Sequence, residues 1–213
     1  AAQHELVRGI KALTDKPVVG VGRFTSPDAM VKQITSGTLD FIGAARPSIA
    51  DPFLPNKIRD GRFDDIRECI GCNICVTGDM TMSISRCTQN PSFMEEWRKG
   101  WHPERMQPKG GSEKVLVVGA GPAGLESARA LGLRGYQVTL AEAGDQLGGR
   151  VQNERALPNL SAWGRVADYR IGQIGKMANV DVYLQSRLDA DQVLEFGFEH
   201  VCLATGSSWR RDG

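Results

Sequence analysis

Apolar positions in the first sixty residues alternate between two periods. Residues 5–13 carry Leu6, Ile10 and Leu13 at helical spacing, and Lys16-Pro17 stops the stripe. Residues 18–22, Val-Val-Gly-Val-Gly, predict a short buried strand. Ser26 then sits as a helix cap, with Pro27 at the first helical position and Asp28 beside it. The spacing predicts a helix to Ser36 with Met30, Val31 and Ile34 inward, ended by Gly37. Residues 40–43 are the next strand, and residues 52–59 a short helix closed by Gly61. Strand, helix and strand with short connections make a parallel βαβ unit.

Residues 69–112 break this rhythm. They hold four cysteines, several prolines and little strand pattern, so their shape is set by something other than an apolar core. Residues 107–112 (QPKGGS) read as a linker. A second α/β segment follows, with strands at 114–118, 137–142, 180–184 and 200–204 and helices at 122–134 and 161–177. The whole pattern is α/β.

The chain has 213 residues, enough for one to two domains. Its 26 Lys and Arg nearly cancel 25 Asp and Glu, leaving +1. That balance excludes an acidic tail protein and gives no support for a nucleic-acid binder. The 41% apolar content excludes wholesale disorder. No apolar run approaches the ~18 residues of a membrane span. No leader pattern suggests secretion, so a cytoplasmic, membrane-free protein is expected.

Two constellations change the picture. Gly119-Ala120-Gly121-Pro122-Ala123-Gly124 follows an apolar strand and opens a helix, and Glu142 stands at the tip of the next strand. This is the context of a dinucleotide fingerprint. Gly119 allows the tight turn, Gly121 lets backbone approach a pyrophosphate, and Gly124 allows close helix–strand packing. The helix start offers unpaired N–H groups to phosphate. Glu142 is placed to accept hydrogen bonds from adenosine ribose hydroxyls. Gly148-Gly149 suits a second tight loop near the same ligand. A glycine-rich turn in an ordinary βαβ unit is the plainer alternative.

Cys69, Cys72, Cys75 and Cys87 fall within nineteen residues, while Cys202 stands alone in an apolar strand as a buried free thiol. A stapled secreted domain spreads its cysteines, whereas clustering at two-residue gaps reads as ligation in a reducing compartment. Three thiolates on one tight loop, with a fourth from elsewhere, match a [4Fe–4S] cluster. Tetrahedral zinc is the rival, although it usually pairs two C-x2-C knuckles. Gly22-Arg23 and Ala45-Arg46 follow consecutive strands. Arg46 is able to clamp a phosphate through two N–H groups, and surface arginines are the plain alternative. Trp97 and Trp101, four apart, fall on one helical face as packing residues.

The runs CIGCNIC (69–75), CTQNP (87–91), WRKGWHPE (97–104) and VLVVGAGPAG (115–124) closely resemble the family of trimethylamine dehydrogenase and its relatives. That family includes dimethylamine and histamine dehydrogenases and bacterial 2,4-dienoyl-CoA reductases. The upstream stretch GVGRFTSPDAM and GAARPSIADPFLPNKI is similar to the end of the family's flavin barrel. The resemblance covers nearly the whole chain in the same order. It implies the last βα units of an FMN-binding (β/α)8 barrel at 1–66, a cluster segment and linker at 67–112, and an incomplete Rossmann-like ADP- or FAD-binding domain at 113–213. By this resemblance Gly22, Arg23, Ala45 and Arg46 contact the FMN phosphate, and Cys69, Cys72, Cys75 and Cys87 bind the cluster. Gly119, Gly121, Pro122, Ala123, Gly124, Glu142 and Gly149 bind the ADP moiety.

The C-x2-C-x2-C spacing and the WRKGWHPE run resemble the amine-oxidising branch. The expectation is a piece of a flavin-dependent amine dehydrogenase that passes electrons from FMN through the cluster to an outside acceptor. Its expected partners are a small-molecule amine, an electron-transferring flavoprotein or NAD(P)H, and further copies in a homo-oligomer. The alternatives are an NAD(P)H-dependent dienoyl-CoA reductase, with electrons running the other way, and a non-catalytic ADP-binding module. The family's chains are several times longer, so this one reads as a fragment whose substrate groups lie upstream.

Overall fold

Parallel strand pairing organises both halves of the chain. The computed structural model describes residues 4–99, 102–208, 210 and 212. It divides into two units, Ala1–Glu95 and Glu96–Gly213. Trp101, and with it the expected pairing with Trp97, lies outside the described residues.

In the first unit, α1 (His4–Val7) is followed by a 3-10 turn at Ile10–Leu13. The continuous helix expected over 5–13 is interrupted at Arg8 and Gly9. Its stripe finds nothing to pack on, and Leu6 and Leu13 are both strongly exposed. Strands β1 (Val19–Val21) and β2 (Phe41–Gly43) pair in parallel, with Val19 opposite Phe41. Between them runs α2 (Pro27–Thr35), which buries Pro27, Met30 and Gln33. Val31 and Ile34, expected inward, face out, because the face that packs is the narrower Met30–Gln33 ridge. After β2 come α3 (Ala45–Ala50), α4 (Leu54–Arg59) and α5 (Ile74–Met80). Neither α3 nor α5 was expected. Phe24, Met30, Leu39, Leu54 and Ile66 form the core of this unit.

The second unit opens with α6 (Glu96–Lys99) and builds on four strands: β3 (Lys114–Val118), β4 (Gln137–Ala141), β5 (Val180–Tyr183) and β6 (His200–Leu203). All pair in parallel in the order β5-β4-β3-β6. Helix α7 (Pro122–Arg134) packs on the sheet. Downstream come α8 (Val151–Glu154), α9 (Arg165–Ile174) and α10 (Ala190–Glu195). Helix α9 packs on α7 and begins after a 3-10 turn at Ser161–Gly164, so the long helix expected over 161–177 is two pieces. Helix α10 carries a reciprocal cap, in which Asp189 accepts the Gln192 N–H and the Gln192 side chain accepts the Asp189 N–H. Leu116, Val117, Leu125 and Leu140 are fully buried, each contributing roughly 1.5–3 kcal/mol by removal from water. Cys202 is half-buried rather than buried, its Sγ 3.6 Å from Ser127 Oγ. Among the described residues no helix is long and apolar enough to cross a membrane.

Candidate cofactor sites

The first unit gathers four sulfurs around one cavity. Cys69, Cys72, Cys75 and Cys87 are free, half-buried thiols that share its wall with Arg46, Asn73 and Gln89. Local backbone explains how a seven-residue run turns its sulfurs inward. Gly71 takes φ +73°, a conformation that L side chains rarely adopt, and its N–H donates to Cys69 Sγ at 3.4 Å. Asn73, at φ +61°, caps α5 and places Cys75 in that helix's first turn. The Cys72 sulfur lies 3.2 Å from the Thr88 hydroxyl, next to the fourth cysteine. Burial pushes the Cys87 thiol above its ordinary value. The Asn90 and Gln89 N–H groups oppose that shift by donating to its sulfur, and the Cys69 and Cys72 sulfurs reinforce it.

The cavity encloses about 20 Å³, and the four cysteines stand among the residues that line it. Among the described residues no three His, Cys, Asp or Glu side chains converge as a single metal ion requires. Four thiols on one cavity, with backbone N–H groups donating to the Cys69 and Cys87 sulfurs, fit ligation of a multi-atom iron–sulfur group.

The frame behind the cysteines is polar and buried. The Lys57 ammonium donates to Asp51 Oδ2 at 2.7 Å, with both side chains wholly shielded from solvent. It also donates to the Asp65 carbonyl at 2.6 Å, while Asp51 accepts the Arg67 N–H at 2.8 Å. These bonds fix the chain just before Cys69.

Arg46 stands in the first turn of α3, and its Nη1 donates to Asn73 Oδ1 at 2.7 Å. Arg23 takes a left-handed φ of +52°, and its guanidinium lies so close to Gly71 that a Cβ there would fall 2.6 Å from Nη1. Both arginines therefore border the cysteine run. Gly22 precedes Arg23 just after β1, and Ala45 precedes Arg46 just after β2. One bond to Asn73 leaves Arg46 further N–H donors for an anion.

The second unit carries a larger cavity, of about 750 Å³, at the carboxyl ends of its strands. Gly119, Gly121, Pro122, Ala123, Glu142 and Gly149 all line it. Gly119 has φ +96°, and a Cβ there would lie 2.5 Å from the Ala204 carbonyl oxygen. A Cβ on Gly124 would overlap the Gly119 carbonyl oxygen, so glycine is required for the helix to leave the strand so tightly. A Cβ on Gly121 would meet nothing within 4 Å and would project into free space. That is the opening a pyrophosphate needs. Gly149, at φ +54°, comes up against Gly121, and the Gly148 N–H donates to the Ala120 carbonyl at 2.9 Å.

Glu142 is already engaged. Its Oε2 accepts the Ala120 N–H at 2.7 Å and its Oε1 the Gly144 N–H at 2.8 Å. Each oxygen keeps a further lone pair for a hydroxyl. The sequence reading missed Arg150, the stretch Ser186–Leu188 and the stretch Ala204–Ser207, all of which line this cavity. The last was findable, because ligands of open parallel sheets sit beyond the strand carboxyl ends, and residues 204–207 follow β6.

Comparisons with known proteins match a family model in each unit. Residues 1–65 match the NADH:flavin oxidoreductase / NADH oxidase family, and residues 117–177 match an NAD(P)-binding Rossmann-like domain. Dimethylamine dehydrogenase of Hyphomicrobium sp. (strain x) is 46% identical over 219 aligned residues, covering 100% of this chain. The chain spans 30% of that enzyme's length. The solved structure of histamine dehydrogenase from Rhizobium sp. 4-9 superposes with a TM-score of 0.98 at 73% identity, over 100% of this chain and 31% of that one. The 6-hydroxypseudooxynicotine amine oxidase of Pseudomonas geniculata N1 gives 0.94 at 61% identity, over 98% of this chain and 31% of that one.

Proposed function

We propose that this chain, whose residues 1–65 match the NADH:flavin oxidoreductase / NADH oxidase family, is the electron-transfer and nucleotide-holding part of an iron–sulfur flavoprotein amine dehydrogenase. The observation that carries the reading is the meeting of four free sulfurs at one cavity, with backbone N–H donors turned toward them. Cys69, Cys72, Cys75 and Cys87 would hold a [4Fe–4S] cluster, which supplies one-electron chemistry when bound. Arg46 and Arg23, with the Gly22 and Ala45 backbone, would hold the phosphate of FMN. The substrate is a small amine, and the acceptor of its electrons is an outside carrier such as an electron-transferring flavoprotein.

In the second unit the Gly119–Gly124 turn and Gly149 would seat the two phosphates of ADP or of FAD. Glu142 would receive the ribose hydroxyls, and its negative charge disfavours a 2′-phosphate. The resident nucleotide decides between two electron routes: FAD favours a reductase path fed by NAD(P)H, and ADP favours amine oxidation.

Anaerobic preparation tests the reading. The protein should be brown, contain iron and acid-labile sulfide, and bleach with dithionite. Cys72→Ala should abolish the chromophore. A colourless protein carrying stoichiometric zinc would overturn the assignment.

A further inference from the structure

We propose that Gln89 and Asn90 are positioning residues that tune the reduction potential of the cluster by locking the backbone beside Cys87. The inference rests on the cluster reading above and concerns two side chains to which that reading gives no part.

Both are polar and almost wholly buried, at 1% and 2% exposure. A buried amide is costly unless its hydrogen bonds are made, and each of these makes them to a different segment. Gln89 Nε2 donates to the Glu68 carbonyl at 3.0 Å, immediately before Cys69. Asn90 Nδ2 donates to the Ile49 carbonyl of α3 at 2.9 Å, across 41 residues of chain. Asn90 Oδ1 accepts both the Ser92 N–H, at 3.0 Å, and the Ser92 hydroxyl, at 2.8 Å. The peptides at 89 and 90 are thus pinned from two sides. The next residue, Pro91, has no N–H to substitute for theirs.

Gln89 and Asn90 follow Cys87 by two and three positions, Gln89 lines the cavity of the four sulfurs, and the backbone N–H groups of both hydrogen-bond to Cys87. Hydrogen bonds to a cluster's sulfurs favour its more negative, reduced form and so raise its potential. Such a donor acts only while it is held in place. Gln89 and Asn90 hold it through side chains that belong to the fold rather than to the ligand set. Gln89 also joins the separate fourth cysteine to the segment that carries the other three, and Asn90 joins it to α3.

The test uses the iron-containing protein prepared anaerobically. Gln89→Met and Asn90→Leu keep volume, and so keep water out, while deleting each tether. EPR-monitored redox titration should show a lower midpoint for each variant than for the parent, at equal iron and sulfide, and a lower one still for the double variant. An unchanged or raised midpoint with full iron would overturn the proposal. So would loss of iron from variants that remain folded by circular dichroism, because the tethers would then serve ligation rather than tuning. If either variant fails to fold, the unaltered protein decides. After exchange into D2O, pulsed EPR of the reduced cluster should reveal deuterons of the Gln89 and Asn90 amides coupled to it, identified by nitrogen-15 labelling of glutamine and asparagine. Absence of that coupling would overturn the proposal. Iron and sulfide missing from the unaltered protein would instead remove the cluster reading, and this inference with it.

Discussion

Lys57 and Asp51 form an ion pair with no solvent access, and each has a second duty to backbone near the cysteine run. Removing one member leaves the other charge buried and unpaired. Lys57→Met should therefore destabilise the chain by about 3–5 kcal/mol, read as a lower urea midpoint. A half-buried carboxylate behaves differently. Lys11 donates to Asp40, and the Val18 N–H donates to it as well, which together hold its pKa below the ordinary value. A depressed folded pKa means that the stabilisation is fully present above the ordinary carboxylate value, about pH 4, and is lost as pH falls through the depressed one. Wild type should be more stable than Asp40→Asn at neutral pH. The two unfolding curves should converge in acid, a trend that urea midpoints measured against pH will check. Neither pair was legible in the sequence. Asp51 and Lys57 look like ordinary surface charges in a polar stretch, and only the folded turn brings them together.

The elements of the second unit were the most readable. Strand β3 and helix α7 fall where the apolar run and the Pro122/Gly135 boundaries put them, because a parallel strand buried on both faces and a capped helix each leave a local signature. The cysteine segment was less so. Helix α5 starts from a left-handed Asn73 and buries only Gly78, so no apolar stripe announces it. Helix α3 shares that fault, although Pro47 in its first turn was a cue. The glycines at the start of α7 separate two effects. Gly121→Val should leave the fold and the melting temperature of nucleotide-free protein nearly unchanged, since its side chain would enter free space. The ADP that stays bound through gel filtration should fall at least tenfold per mole of protein. Gly124→Ala should lower the melting temperature itself, because its methyl group has no place beside the Gly119 carbonyl.

At the scale of the whole chain, apolar surface is unevenly covered. Val19, Val21 and Phe41 share one face of the β1–β2 pair, and each is more than half exposed. Apolar strand surfaces of that kind drive association unless something covers them. The chain by itself should therefore scatter light at moderate concentration, and Val21→Lys should reduce the scattering without lowering helix content by circular dichroism. The sequence pattern led to strands here but could not say which of their faces would be covered, because that depends on what else packs against them. The second unit's cavity is more finished. The Glu142 carboxylate straddles the Ala120 and Gly144 amides. A carboxylate fixed by two backbone amides has little side-chain freedom left to lose on capture of a ligand. The cavity's occupant should accordingly behave as a permanent tenant, surviving gel filtration and appearing in equal molar amount only when the protein is denatured.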